Sequence, residues 1–182
     1  KQERDKALRD ILTGADDRFI MVIGPCSADR RDAILKYLRR LRTVQEKVAD
    51  RILIVPRLYT NKPRTTGDGY KGMQHQPDPS HSPDLSTLYE ESDLQNPAVI
   101  VDTNHANSGK QYAEQPRIAR EVMHSMRQSE RIGKLVKGLM VESYLEDGCQ
   151  KPDGRTYGQS ITDPCLGWEK TERMILEIAD AR

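Results

Sequence analysis

Four short, β-prone apolar runs, each followed by a loop and then a helical pattern, constrain this chain more than any other feature. The runs are Phe19–Ile23, Ile52–Leu58, Ala98–Val101 and Leu135–Val141. Each is apolar throughout or nearly so, as expected of strands buried on both faces of a parallel sheet. The helical patterns between and after them lie at Arg31–Val48, residues 86–95, Arg117–Gln128 and Trp168–Ala181. Arg31–Val48 shows the clearest stripe, with Ala33, Ile34, Tyr37, Leu38, Leu41 and Val44 on one face. A further amphipathic segment, Lys1–Leu12, precedes the first strand and ends before Gly14. Strand and helix thus alternate four times, which predicts a parallel α/β protein with one domain over residues 1–182.

Composition narrows the function classes. Lys plus Arg is 29 against 28 Asp plus Glu, a formal charge of +1, whereas a dedicated nucleic-acid binder carries a basic excess. The longest apolar runs reach four or five residues, far short of the roughly 20 that a membrane span needs. No apolar segment of signal-peptide type follows the charged Lys1–Asp10. Cys26, Cys149 and Cys165 form neither a paired framework nor a CxxC motif, which predicts a reducing, cytoplasmic compartment.

Ligands of parallel α/β sheets sit at the carboxyl ends of the strands, so chemistry is sought there. Gly24-Pro25-Cys26-Ser27 follows the first strand. Its thiol could ligate a metal, act as a nucleophile, or fill a turn as a small apolar group. The second strand runs into Arg57, and the following loop holds Lys62-Pro63-Arg64-Thr65-Thr66-Gly67. Two cations and two hydroxyls stiffened by proline make a phosphate cradle or a solvated basic loop. A buried Arg57 is less easily decorative, because an unpaired buried guanidinium is costly. Asp102-Thr103-Asn104-His105-Ala106-Asn107-Ser108 after the third strand lines a wet site or caps itself as a turn. Glu142 ends the fourth strand and Asp163 follows in Ser160-Ile161-Thr162-Asp163-Pro164. These carboxylates suit a divalent metal or acid/base work, and Asp163 equally suits a helix N-cap.

Taken together the segments are more specific. VIGPCS (22–27), KPRTTGDGYKG (62–72), VDTNHANSGKQY (101–112), VESYLEDG (141–148) and SITDPCLGWE (160–169) stand in this chain order. They resemble type I 3-deoxy-arabino-heptulosonate 7-phosphate (DAHP) synthase, and the likeness covers nearly the whole chain. The resemblance implies a TIM-barrel type (β/α)8 fold, here with four βα units matching barrel strands one, two, seven and eight. It implies condensation of phosphoenolpyruvate with erythrose 4-phosphate, the first step of the shikimate pathway to aromatic amino acids, with a divalent metal (Mn, Fe, Co or Zn). Cys26, Glu142 and Asp163 match metal ligands; Arg57 and Lys62 match residues that engage phosphoenolpyruvate, with Lys62 near the reacting centre. Arg64 and Thr65 match the cradle for the aldose phosphate. Catalysis is thereby assigned to Lys62, Cys26 and Asp163.

A complete barrel takes about 250 residues and rarely fewer than 200. The 182 residues here imply that the segment between family strands two and seven is deleted or omitted near 84–87. The fourth metal ligand, a histidine, is expected to be lost with it, since neither His75 nor His105 is matched to that role. The retained strands would form one contiguous patch in the order seven, eight, one, two. Unpaired edges on such a patch predict a homo-oligomer. Three readings compete: an active synthase, an inactive remnant serving as a phosphate-ligand or metal-binding regulatory partner, and a phosphate-binding module without metal chemistry. Metal content separates the first from the third, and turnover separates the first from the second.

Overall fold

The computed structural model describes residues 2–58 and 97–182. Four strands, β1 (Phe19–Gly24), β2 (Ile52–Pro56), β3 (Val99–Asp102) and β4 (Val136–Glu142), form one sheet in the order β2-β1-β4-β3. Every pairing is parallel, with Met21 opposite Ile54 on one side and opposite Leu139 on the other. Helix α1 spans Gln2–Thr13, α2 Arg31–Val48, α3 His105–Ser108, α4 Gln115–Gln128, α5 Glu130–Leu135 and α6 Trp168–Asp180. The parallel α/β architecture read from the alternating pattern is therefore present. The proposed join near 84–87 and the helix expected over 86–95 lie outside the described residues.

The period-2 alternation within each strand divides the apolar side chains between two clusters. Phe19, Met21, Ile23, Ile52, Ile54, Leu139 and Val141 face the main core, where α2, α4 and α6 press their apolar stripes. Ile20 and Leu53 face the other way, onto Ile11, Ala7 and Leu8 of α1. Tyr37 of α2 is fully buried at the centre of the main core, edge-on to Tyr144 at 6.0 Å and to Trp168 at 5.7 Å. Such edge-to-face pairs add to the stabilisation that burial alone supplies.

Two departures from the sequence reading are local. Strand β2 stops at Pro56 rather than at Leu58, with Arg57 N still donating to Ile23 O beyond it. Helix α5 occupies a stretch between α4 and the last strand to which the apolar pattern assigns no element. It is six residues long and includes Gly133, too short to show a stripe, and is started by the Ser129 hydroxyl accepting from Ile132 N at 3.3 Å.

The outer edge of β2 is not bare where it is described. Arg57 N donates to Ile23 O, so the odd-numbered residues of β2 turn their amides toward β1 and the even-numbered ones turn away. On that outward side Gln45 of α2 donates from Nε2 to Ile52 O at 2.8 Å and accepts from Ile54 N at 2.7 Å.

Candidate metal centre

Because all four strands are parallel, their carboxyl ends deliver side chains to one rim of the sheet. The turn after β1 is possible only with Gly24. A Cβ there would lie 2.0 Å from the carbonyl oxygen of Arg57. Its absence lets β1 end between β2 and β4, with Ser143 N donating to Gly24 O at 2.9 Å. Pro25 then turns the chain so that the buried Cys26 thiol meets the carboxylate of Asp163, Sγ to Oδ2 at 3.5 Å. Asp163 N in turn donates to that sulfur at 3.4 Å.

Asp163 reaches the rim because the segment after β4 folds back on itself. Leu166 N donates to Glu142 O, Tyr144 N to Leu166 O, and Gly148 and Cys165 exchange both backbone hydrogen bonds. Asp147 fastens the return by accepting from Gly167 N at 2.7 Å and pairing with Lys170. One thiol sulfur and one oxygen from each of Glu142 and Asp163 consequently lie within 4.8 Å of one another.

Glu142 is completely buried and is held on every side. Its Oε2 accepts from Asn104 Nδ2 at 2.6 Å, and its Oε1 lies 3.0 Å from Arg57 Nη2. Its backbone N–H and C=O are both taken by the Gln115 amide, at 3.0 and 2.9 Å. Arg57 is itself fixed by Nη1 donating to Pro25 O at 2.8 Å. Lys110 Nζ stands 3.2 Å from Asp163 Oδ1 at the solvent side. Of the residues read from sequence, Cys26, Glu142, Asp163 and Arg57 are thus brought together. Lys62, Arg64 and Thr65 lie outside the described residues.

A histidine does stand at this rim, although no role as a ligand is matched to it by sequence. His105 Nδ1 is 2.7 Å from Asp102 Oδ2, and its Nε2 is 3.5 Å from Glu142 Oε1. His105 occupies the left-handed region at φ +43°, a conformation uncommon for a residue other than glycine and one that recurs at functional sites. The signal available in the sequence is the Asp-x-x-His spacing at a strand end, which places a carboxylate on one ring nitrogen and directs the other across the rim.

The donor set fits a divalent transition ion. A thiol and two carboxylates that gather donor atoms within 4.8 Å of one another can share one cation, and mixed sulfur and oxygen donors suit Mn, Fe, Co or Zn. The second buried thiol is different: burial pushes Cys165 up to about 12, and its sulfur is engaged by backbone, accepting from Cys26 N at 3.4 Å and donating to Asp163 O at 3.6 Å.

A parallel α/β sheet with such a cluster at the carboxyl ends of its strands has the arrangement of TIM-barrel-type enzymes. The sequence profile of the DAHP synthetase I family matches residues 1–81 and 78–176, and the chain belongs to that family. A phospho-2-dehydro-3-deoxyheptonate aldolase of Haemophilus influenzae is 26% identical over 314 aligned positions, which span 100% of this chain and 85% of that protein. The Trp-sensitive aldolase of Escherichia coli K12 is 42% identical over 86 residues, 46% of this chain and 24% of that one. In fold, the chain is similar to the phospho-2-dehydro-3-deoxyheptonate aldolase of Francisella tularensis, with a TM-score of 0.81 and 20% identity, covering 99% of this chain and 90% of that one. No described helix is long and apolar enough to cross a membrane.

Proposed function

We propose that this chain carries the metal centre of an aldol-type condensation of phosphoenolpyruvate with erythrose 4-phosphate to DAHP. The observation that carries the reading is the convergence of Cys26, Glu142 and Asp163 within 4.8 Å at the rim of the sheet. Those three residues would hold the divalent ion, and His105, with Nδ1 oriented by Asp102 and Nε2 3.5 Å from Glu142 Oε1, offers a fourth donor. When bound, the ion supplies Lewis-acid polarisation of the aldehyde oxygen. Arg57 presents a fixed guanidinium beside the cluster for the anionic phosphoenolpyruvate. Lys62 offers an ammonium to the same substrate near the reacting centre, while Arg64 and Thr65 cradle the aldose phosphate. The strands β1, β2, β3 and β4 are then barrel strands one, two, seven and eight of a single domain over 1–182. Adjacency of β1 and β4 supports this, because barrel closure makes strand eight the neighbour of strand one. The reducing cytoplasm suits the three free thiols.

A second reading, an inactive remnant that binds metal or phosphate ligands as a regulatory partner, is favoured by one fact. The Haemophilus alignment needs 314 positions where this chain has 182 residues, which supports the reading that a middle segment, placed here near 84–87, is absent. Steady-state assay of a chain of verified mass, with phosphoenolpyruvate and erythrose 4-phosphate, decides between the readings after a manganese titration. One ion per chain, with binding lost in Cys26→Ala, supports the metal centre; no bound ion sinks both metal readings. Turnover no more than a trace is expected from these residues alone. Turnover near that of an intact barrel would mean the phosphate site is complete without the missing segment.

A further inference from the structure

The Glu142 carboxylate is reached by a chain of buried amide and hydroxyl groups that takes no part in the chemistry proposed above. Asn104 is fully buried and donates from Nδ2 to Glu142 Oε2 at 2.6 Å, a short contact for an amide donor. Its other amide atom, Oδ1, accepts from Ser108 Oγ at 2.9 Å. An amide can be turned by half a revolution at little cost in shape, so its direction must be set by its partners. The Glu142 carboxylate sets it here, since it only accepts and so requires the NH2 side; the Ser108 hydroxyl then donates to Oδ1 and seats the other end. The backbone N–H of Asn104 is itself tied, donating to Asp102 Oδ1 at 2.9 Å, and Asp102 also orients His105. Asp102 therefore fixes both neighbours of Glu142 on this side of the rim.

Glu142 offers two oxygens, and the arrangement divides them. Oε2 is occupied by Asn104, whereas Oε1 points toward Arg57, at 3.0 Å, and His105, at 3.5 Å. A carboxylate that could rotate would exchange the two. The short Asn104 bond, with the Gln115 amide clamping the backbone of the same residue on both its N–H and C=O, removes that freedom.

We infer that Asn104, seated by the Ser108 hydroxyl on its Oδ1, is a positioning residue that locks the Glu142 carboxylate with one oxygen presented to a divalent ion. The inference rests on the reading of Glu142 as a ligand. Outer partners of metal ligands commonly change affinity by about ten- to a hundredfold.

The test uses the full chain and Mn2+ alone, with dissociation constants from calorimetric titration and the ligand-field spectrum of the Co2+-loaded protein as a second readout. Glu142→Ala, Asn104→Leu and Ser108→Ala are compared with Val48→Ala, a buried core change at the far end of α2. Asn104→Leu should raise the Mn2+ dissociation constant about tenfold or more and broaden or shift the Co2+ bands, and Ser108→Ala should do the same by a smaller factor. Val48→Ala should lower the melting temperature and leave both metal readouts in place. If Glu142→Ala binds Mn2+ as tightly as the parent, the ligand reading fails and this inference with it. If Glu142→Ala loses the ion while Asn104→Leu and Ser108→Ala keep it, the ligand reading stands and the positioning role is overturned. Equal weakening by Val48→Ala and Asn104→Leu would also overturn it. Should Asn104→Leu not fold, the milder Ser108→Ala carries the comparison by itself.

Discussion

The carbonyl oxygen of Arg57 lies 2.0 Å from the point where a side chain on Gly24 would begin. Strand β1 and the segment leaving β2 therefore meet backbone to backbone at the rim, and the two residues that flank the contact, Cys26 and Arg57, are drawn toward the same space. Gly24→Ala must push these segments apart. Overpacking of this kind costs about 1–3 kcal/mol, and here it also displaces Cys26. Denaturant titration should show that loss, and Mn2+ affinity should fall in parallel; parental stability in the Gly24→Ala variant would mean that the rim yields more easily than its packing indicates.

Metal binding should stabilise the folded chain. An ion that binds only the native state adds about 2.7 kcal/mol at a hundredfold excess over its dissociation constant. Melting curves with and without Mn2+, and after chelator treatment, measure this directly. The increment should disappear in Cys26→Ala and in Asp163→Asn. An undiminished increment in either would remove that residue from the ligand set.

Arg57 and Arg64 should separate the two substrates, but not symmetrically. Each lost charge-assisted contact is worth roughly 1.5–3 kcal/mol, about ten- to a hundredfold in affinity. Arg64→Ala should weaken erythrose 4-phosphate and leave Mn2+ alone. Arg57 also touches Glu142 at 3.0 Å, so Arg57→Ala should weaken phosphoenolpyruvate and alter metal affinity together. Ligand titrations with each compound and with the metal distinguish the two; identical profiles would remove the reason for separate roles.

Tyr37 tests the support beneath the rim. It is fully buried and stacks edge-on with Tyr144, which lies two residues past Glu142, and with Trp168 at the start of α6. Truncating a large buried aromatic typically costs about 3–5 kcal/mol. Tyr37→Ala should show a loss in that range by denaturation, and Tyr37→Phe a much smaller one.

The strands and long helices were readable because each rests on local pattern. Helix α2 begins and ends where its stripe does, and α4 starts two residues earlier than the stripe because Pro116 suits a first turn. The short α5 was not readable, since six residues hold too little periodicity. At the site, Cys26, Arg57, Glu142 and Asp163 were each suggested by standing after a strand. That Asp163 meets Glu142 was beyond local pattern, because it depends on Cys165 pairing with Gly148 across sixteen intervening residues. That His105, left unmatched to a ligand role by sequence, turns toward Glu142 was beyond local pattern for a similar reason: its place follows from its contact with Asp102 and from a left-handed backbone, and neither leaves a hydrophobic trace.

The amide of Gln45, seated on Ile52 and Ile54, bears on how this sheet could ever be extended. It imitates one peptide unit of an adjoining strand, borrowed from a helix of the same molecule. Any incoming strand, from this chain or from another, has to evict that imitation before it can register against β2. Growth of the sheet in this direction is thereby an exchange of hydrogen bonds and not a simple gain of them. Removing the side chain, as in Gln45→Ala, turns a competitive step into an open one, which sedimentation would detect as a stronger tendency of the chain to self-associate.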